Sequence, residues 1–257
     1  RNGSKGGAFS AHPFEGTIDD PFLSDHFDID YVTHEMGHQF GAFHTFSHTN
    51  EFEGFSTEPG SGSTIMGYAG IVGLDNVQRH SDPYFHYHSI HNINEYIDTQ
   101  TCFTSTVNEN QIPTVYADRD HSLPIGTAYE LKATGTDPDG DVLYYCWEQL
   151  DAGQVDASNF GPYNHLGAQA RSLRPSASPV RTIPGMDAAL EGSLTMVNPQ
   201  IDSRWETVSM VDRKLTWAVT VRDRYPASDQ AKGRMAFDVK VLKVISDAGP
   251  FVVSSQN

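Results

Sequence analysis

The sequence predicts an α+β chain made of two unlike parts, a short helical N-terminal part and an all-β C-terminal sandwich. Three observations carry this reading. Between Ile29 and Phe40 the apolar residues recur with a helical period. With Ile29 at zero and about 100° per residue, Val32, Met36 and Phe40 fall within roughly 60° of it. From Ile112 onward the period changes to two, over residues 127–134, 142–150, 215–221 and 235–244. These alternating runs are bounded by Gly, Pro and Asp turns, the pattern of an antiparallel sandwich.

At 257 residues the chain has room for two cores. A net charge of −16 argues against nucleic-acid binding and for a self-repelling surface. No run of about 20 apolar residues is present, so no membrane-spanning helix is expected. No signal-peptide pattern is visible after the opening Arg1-Asn2-Gly3. The two cysteines, Cys102 and Cys146, fall in different expected parts. A pair and two separate thiols both remain open, and the compartment is not fixed by them.

The helical stretch runs into residues 34–44, which read His-Glu-x-x-His-x-x-Gly-x-x-His. Residues four apart share a helix face, so His34 and His38 can grip one ion. On the same wheel they lie about 140° and 180° from Ile29, so the helix is expected to bury its apolar stripe and offer ligands on the other side. Asp28 is the expected N-cap and Gly41 the expected stop. A positive φ at Gly41 lets the chain turn sharply and return His44 as a third ligand. Three imidazoles with one open position suit catalytic zinc. Zinc lowers the pKa of bound water, and Glu35 is the candidate base. Surface histidines on an ordinary helix are the alternative, and the glutamate, glycine and third histidine in register weigh against it. The motif resembles that of the metzincin zinc endopeptidases.

That resemblance implies a particular plan. A strand before the zinc helix forms the cleft rim in these enzymes; residues 4–10 fit such an edge strand or, equally, a glycine-rich loop. Most of a twisted sheet precedes the helix in metzincins, whereas 33 residues precede His34 here, so the N-terminal sheet is expected to be missing and the chain to be truncated, nicked or partly represented. After a polar loop over residues 45–63, Ser63-Thr64-Ile65-Met66-Gly67-Tyr68 resembles the Met-turn, which sets a soft methionine beneath the ligands. Tyr68 matches the tyrosine that astacin- and serralysin-like members place near zinc, where it can hydrogen-bond the transition state. Reprolysin-like members generally lack that role, and a packed tyrosine is the alternative. Residues 84–97 are expected as the C-terminal helix of the domain, with Phe85, His88, Ile93, Tyr96 and Ile97 facing the Met-turn. His80, His86, His88 and His91 are read as structural or exposed rather than as a second metal site.

In the β part, Gly135-Thr136-Asp137-Pro138-Asp139-Gly140-Asp141 followed by residues 143–149 resembles immunoglobulin-like modules of the polycystic-kidney-disease or cadherin type. Trp147 and Trp217 are expected in its core. Asp137, Asp139 and Asp141 can supply oxygens to Ca²⁺, although the run is also a good turn. Residues 151–200 show little periodicity and are expected either to pack on the catalytic part or to form an irregular insertion. The expected division is a catalytic domain over 1–107, incomplete at its N-terminus, a linker over 108–112, the sandwich over 113–246, and a tail or the start of a further module over 247–257.

The whole resembles secreted bacterial metzincins of the reprolysin-like kind, which carry a β-sandwich after the protease domain. One departure concerns the residue after the third histidine. Here it is Thr45, followed by Phe46, which is similar to pappalysin-like members, where reprolysins usually carry Asp. The resemblance implies peptide-bond hydrolysis with zinc held by His34, His38 and His44 and with Glu35 as base. It also implies protein or peptide substrates and a secreted or cell-surface location. The competing reading is a secreted adhesive or binding protein with an inert, incomplete protease half.

Overall fold

The computed structural model describes residues 26–51, 54–104, 106–224 and 232–251. The expected rim strand over residues 4–10 lies outside them. The first described element is helical from His26 onward. A π-helical stretch, Asp28–Thr33, passes directly into α1, His34–Gln39. Asp28 therefore sits inside the helical run and does not cap it; its carbonyl accepts the Thr33 hydroxyl at 2.6 Å.

The stop is as expected. Gly41 has φ +95°. Its N–H donates to the His38 carbonyl, and the Ala42 N–H donates to the Gly37 carbonyl. This is the paired 5→2 and 6→1 closure of a Schellman motif.

The buried face of α1 is not the apolar stripe. Val32, Met36 and Phe40 are 36%, 49% and 45% exposed, whereas His34 and Gly37 are buried. No strand precedes this helix among the described residues. Gly37 explains the choice of face. A Cβ there would lie 2.5 Å from the Met66 sulfur, so the missing side chain lets the helix backbone settle onto Met66. Around that contact Ala42, Ile65 and Met66 form a small core, with Ile29, Phe85 and Ile93 packed against it.

A 3₁₀ turn, Gly73–Asp75, and α2, Tyr87–Asp98, follow. The imidazole of His86 caps α2 by accepting from the His88 N–H. α2 is the helix expected over residues 84–97.

Among the described residues the remainder holds seven strands joined by long irregular segments, with a short helix, α3 (Met186–Leu190), and a 3₁₀ turn, Ser246–Ala248. One sheet has the order β1 (Thr114–Ala117), β3 (Tyr129–Thr136), β5 (Val180–Ile183). The other has the order β2 (His121–Pro124), β7 (Met235–Ile245), β6 (Arg213–Arg222), β4 (Tyr144–Gln149). Alternate residues of β3, namely Tyr129, Leu131 and Ala133, point into a core shared with Trp147, Trp217, Leu215, Val219 and Leu242 of the second sheet. The two sheets thus close on one interior, with Trp147 and Trp217 in it as expected. The pairing is antiparallel except for β2 against β7, which is parallel. Cys102 and Cys146 are free thiols, the first exposed and the second buried.

Residues 151–212 bind the two parts together. The Gly60 N–H donates to Val155, the Val155 N–H to Ser47, and the Gly153 N–H to Ser56. Trp205, fully buried, packs with Phe160 and Val155 against Val77 of the N-terminal part. The outer face of the second sheet is covered as well: Glu148 on β4 accepts the Tyr87 N–H, and Arg222 on β6 donates to the Phe85 carbonyl.

Candidate metal centre

One turn of α1 places His34 and His38 side by side, and the glycine stop returns His44 to them. The Nε2 atoms of His34 and His44 lie 3.2 Å apart, and those of His38 and His44 lie 2.9 Å apart. All three ligand atoms fall within 4.8 Å of one another. Zn–N bonds of about 2.0–2.1 Å at tetrahedral angles put nitrogens about 3.3 Å apart.

What holds the far side of each ring decides its tautomer. The Nδ1 of His34 faces the Ile65 carbonyl at 2.7 Å, and that of His38 the Ala42 carbonyl at 2.9 Å. The Nδ1 of His44 faces the Glu51 carboxylate at 2.6 Å. Carbonyls and carboxylates only accept, so each ring carries its proton on Nδ1 and turns a bare Nε2 lone pair inward. Three lone pairs aimed at one point cannot bond one another. A cation at that point relieves them, so the donor set fits zinc.

The environment keeps the first ligand uncharged. Burial lowers the pKa of His34 to about 3, opposed in part by its bond to the Ile65 carbonyl. Neutral imidazole is the form that ligates.

The turn that resembles the Met-turn lies against α1, with the Met66 sulfur at Gly37. Met66 is fully buried beneath α1, and the carbonyl just before it orients His34. A pocket beside His34 is lined by Glu35, Tyr68, Gly67, Asp30 and Tyr31, among others. Tyr68 stands near the ligands, with ring centroids 4.5 Å from His44 and 5.6 Å from His34. Burial, then the Glu51 and Glu35 carboxylates, push its phenol pKa up, so the hydroxyl keeps its proton as a donor.

Two functional neighbours are invisible in the motif. Glu51 is one. The other is Glu58, fully buried, whose carboxylate accepts the Thr45 hydroxyl at 2.6 Å, the Thr64 hydroxyl at 2.5 Å and the Ser63 N–H at 3.1 Å. It ties the residue after the third histidine to the turn that orients the first. Thr45, the departure from the reprolysin pattern, thereby has a partner. The only sequence signal for either glutamate is an acidic residue in a loop otherwise rich in Gly, Ser and Thr.

Residues 2–97 match the model of metallo-peptidase family M12B, reprolysin-like. The match supports a reprolysin-like metzincin domain over that segment. The match covers under half of the chain and leaves the β part without an assigned family. No curated protein matches the chain. No helix among the described residues is long and apolar enough to cross a membrane.

The other histidines and the aspartate run behave differently. His86 and His88 are deeply packed and His91 is half exposed beside Glu95, and none of the three joins a metal-ligating cluster among the described residues. Asp137, Asp139 and Asp141 do cluster. However, Asp137 accepts two N–H groups of its own turn, Asp139 accepts Gln111, and Arg224 sits on Asp141 at 2.6 Å. With an arginine supplying the positive charge, nothing supports calcium there.

Proposed function

We propose that this chain is a zinc-dependent metallo-endopeptidase that hydrolyses peptide bonds of protein substrates, in which His34, His38 and His44 hold the metal and Glu35 is the general base. The observation that carries this reading is the set of three inward Nε2 lone pairs, each fixed by an acceptor on the opposite nitrogen, with a carboxylate in the adjoining pocket. The match to the reprolysin-like family supports it.

Zinc bound there supplies Lewis-acid chemistry and a lowered pKa for water. The chain's own residues do the rest. Glu35, in the pocket wall next to the ligands, receives a proton on its carboxylate and returns it to the leaving amine. Tyr68 offers a phenolic O–H to oxygen charge developing in the same pocket. Met66 and Gly37 fix the height of α1 over the turn, and so the position of the imidazoles.

Glu35→Gln conserves size and leaves every ligand in place. It is expected to retain zinc by elemental analysis and to lose about 10²–10⁴-fold in rate of casein cleavage. Near wild-type cleavage by the zinc-loaded variant would overturn the assignment. An adhesive role with an inert protease half predicts instead that wild-type protein with zinc bound cleaves no peptide. Export to the cell surface or medium, and an immunoglobulin-like sandwich as the second part, complete the proposal. Fractionation of the source cells and an experimental structure of the β part test them.

A further inference from the structure

The helix carrying the zinc motif bears a longer ladder than the motif. His26, Asp30, His34 and His38 recur every four residues, so one face offers a metal-ligating side chain at each turn. The lower two belong to the three-imidazole centre. The upper two meet His80, which arrives from the segment after the 3₁₀ turn. One ligand atom from each of His26, Asp30 and His80 lies within 4.8 Å of the others.

Asp30 is fixed for this. Its side chain is 11% exposed, one oxygen accepts the Ser81 N–H at 2.8 Å, and the other faces the His80 Nδ1 at 2.9 Å. The His26 and His80 rings stack with centroids 3.4 Å apart and planes 6° from parallel. Parallel rings aim their lone pairs side by side, so sharing an ion requires the stack to open. His80 is half exposed and can swing without repacking the core.

We propose that His26, Asp30 and His80 form a second divalent-cation site. Two imidazoles and one carboxylate suit a zinc-class ion, and one carboxylate is too few oxygens for calcium. The site binds more weakly than the three-imidazole centre, because its ligands must reorient and are more open to water. It shares no ligand with that centre and stands whether or not the chain is a peptidase. Asp30 also lines the pocket that Glu35 lines, so the two sites adjoin.

Zinc titration of the metal-stripped full chain, read by equilibrium dialysis and elemental analysis, tests this. Wild type is expected to take up one tight and one weaker ion. His80→Asn, which can still bond Asp30, and His26→Ala are each expected to lose the weaker ion and keep the tight one, whose retention reports an intact fold. His44→Ala is expected to lose the tight ion and keep the weaker. Saturation of wild type at a single ion that depends on His44, or a weaker ion that survives both His26→Ala and His80→Asn, overturns the inference. Failure of the three-imidazole centre shows separately, as loss of the tight ion in wild type with the weaker one still removed by His80→Asn.

Discussion

Glu58 does at a distance what a ligand does directly. Its carboxylate receives two hydroxyls and an N–H from both sides of the centre. In Glu58→Gln, an amide puts donors either against the Thr45 and Thr64 hydroxyls, which share one oxygen, or against the Ser63 N–H, and the two segments lose their common anchor. Changes of this kind cost about 10–100-fold in metal affinity or activity. Zinc affinity measured by competition with a chelator is expected to fall within that range, with the fold intact by circular dichroism. A second buried group sets the response to pH. Burial raises the pKa of Glu148 to about 8 and lowers those of His86 and His88 to about 3. His86 and Glu148 stand 4.0 Å apart, both uncharged, rather than as an ion pair. The histidines contribute stability that is present above about 6.5 and lost as pH falls toward 3, since the unfolded chain binds more protons there. Glu148 works in the opposite sense: its contribution is present below about 4.5 and lost as pH rises through about 8. Urea midpoints of the metal-free protein are expected to peak on the acid side of neutrality. Glu148→Gln, which keeps an acceptor for the Tyr87 N–H, is expected to flatten the alkaline limb; an unchanged limb counts against a protonated Glu148.

At the scale of elements, Gly41 fixes how the third ligand returns. With φ +95° and a Cβ position 2.8 Å from Tyr96 Cβ, any side chain strains both the turn and the contact with α2. Gly41→Ala is expected to destabilise by at least about 1 kcal/mol, seen in thermal unfolding, and to weaken zinc binding through His44. This turn was legible because spacing, glycine and a returning histidine form one local pattern. The buried face of α1 was not. A helical wheel weighs side chains, and the decisive contact is made where one is absent, at Gly37. The long alternating strands were readable for the opposite reason, since β3, β4, β6 and β7 repeat inward and outward often enough to show period two. β1, β2 and β5, four residues each, are too short for a period, and their pairing comes from partners distant in sequence.

The molecule as a whole departs from a protease with a detachable module. The sheet core is self-contained within residues 113–246. The second core is not, because Trp205, Phe160 and Val155 close on Val77 across the boundary. We expect residues 113–246 expressed alone to keep a β-sheet circular-dichroism signal while Trp205 becomes accessible. Tryptophan emission should shift to the red and iodide quenching should rise relative to the full chain; identical emission and quenching would argue that the two parts are independent. Packing on the first part was one of the two expectations for residues 151–200, raised by their length and weak periodicity, but no residue pattern named the partners. Their contacts to the first part combine backbone bonds, such as Val155 to Ser47, with scattered side-chain bonds such as Arg174 to Asp82 and Tyr84 to Leu173, partners too distant in sequence to show as a pattern.

The three straps behind the imidazoles are of two kinds. Ile65 and Ala42 hold their histidines with main-chain carbonyls, which no substitution of those residues deletes. Glu51 holds His44 with a side chain that is 40% exposed. Of the three groups that face the outer ring nitrogens, only the one at position 51 can be deleted by a side-chain substitution. Position 51 is thus the adjustable strap, and the other two are built into the main chain.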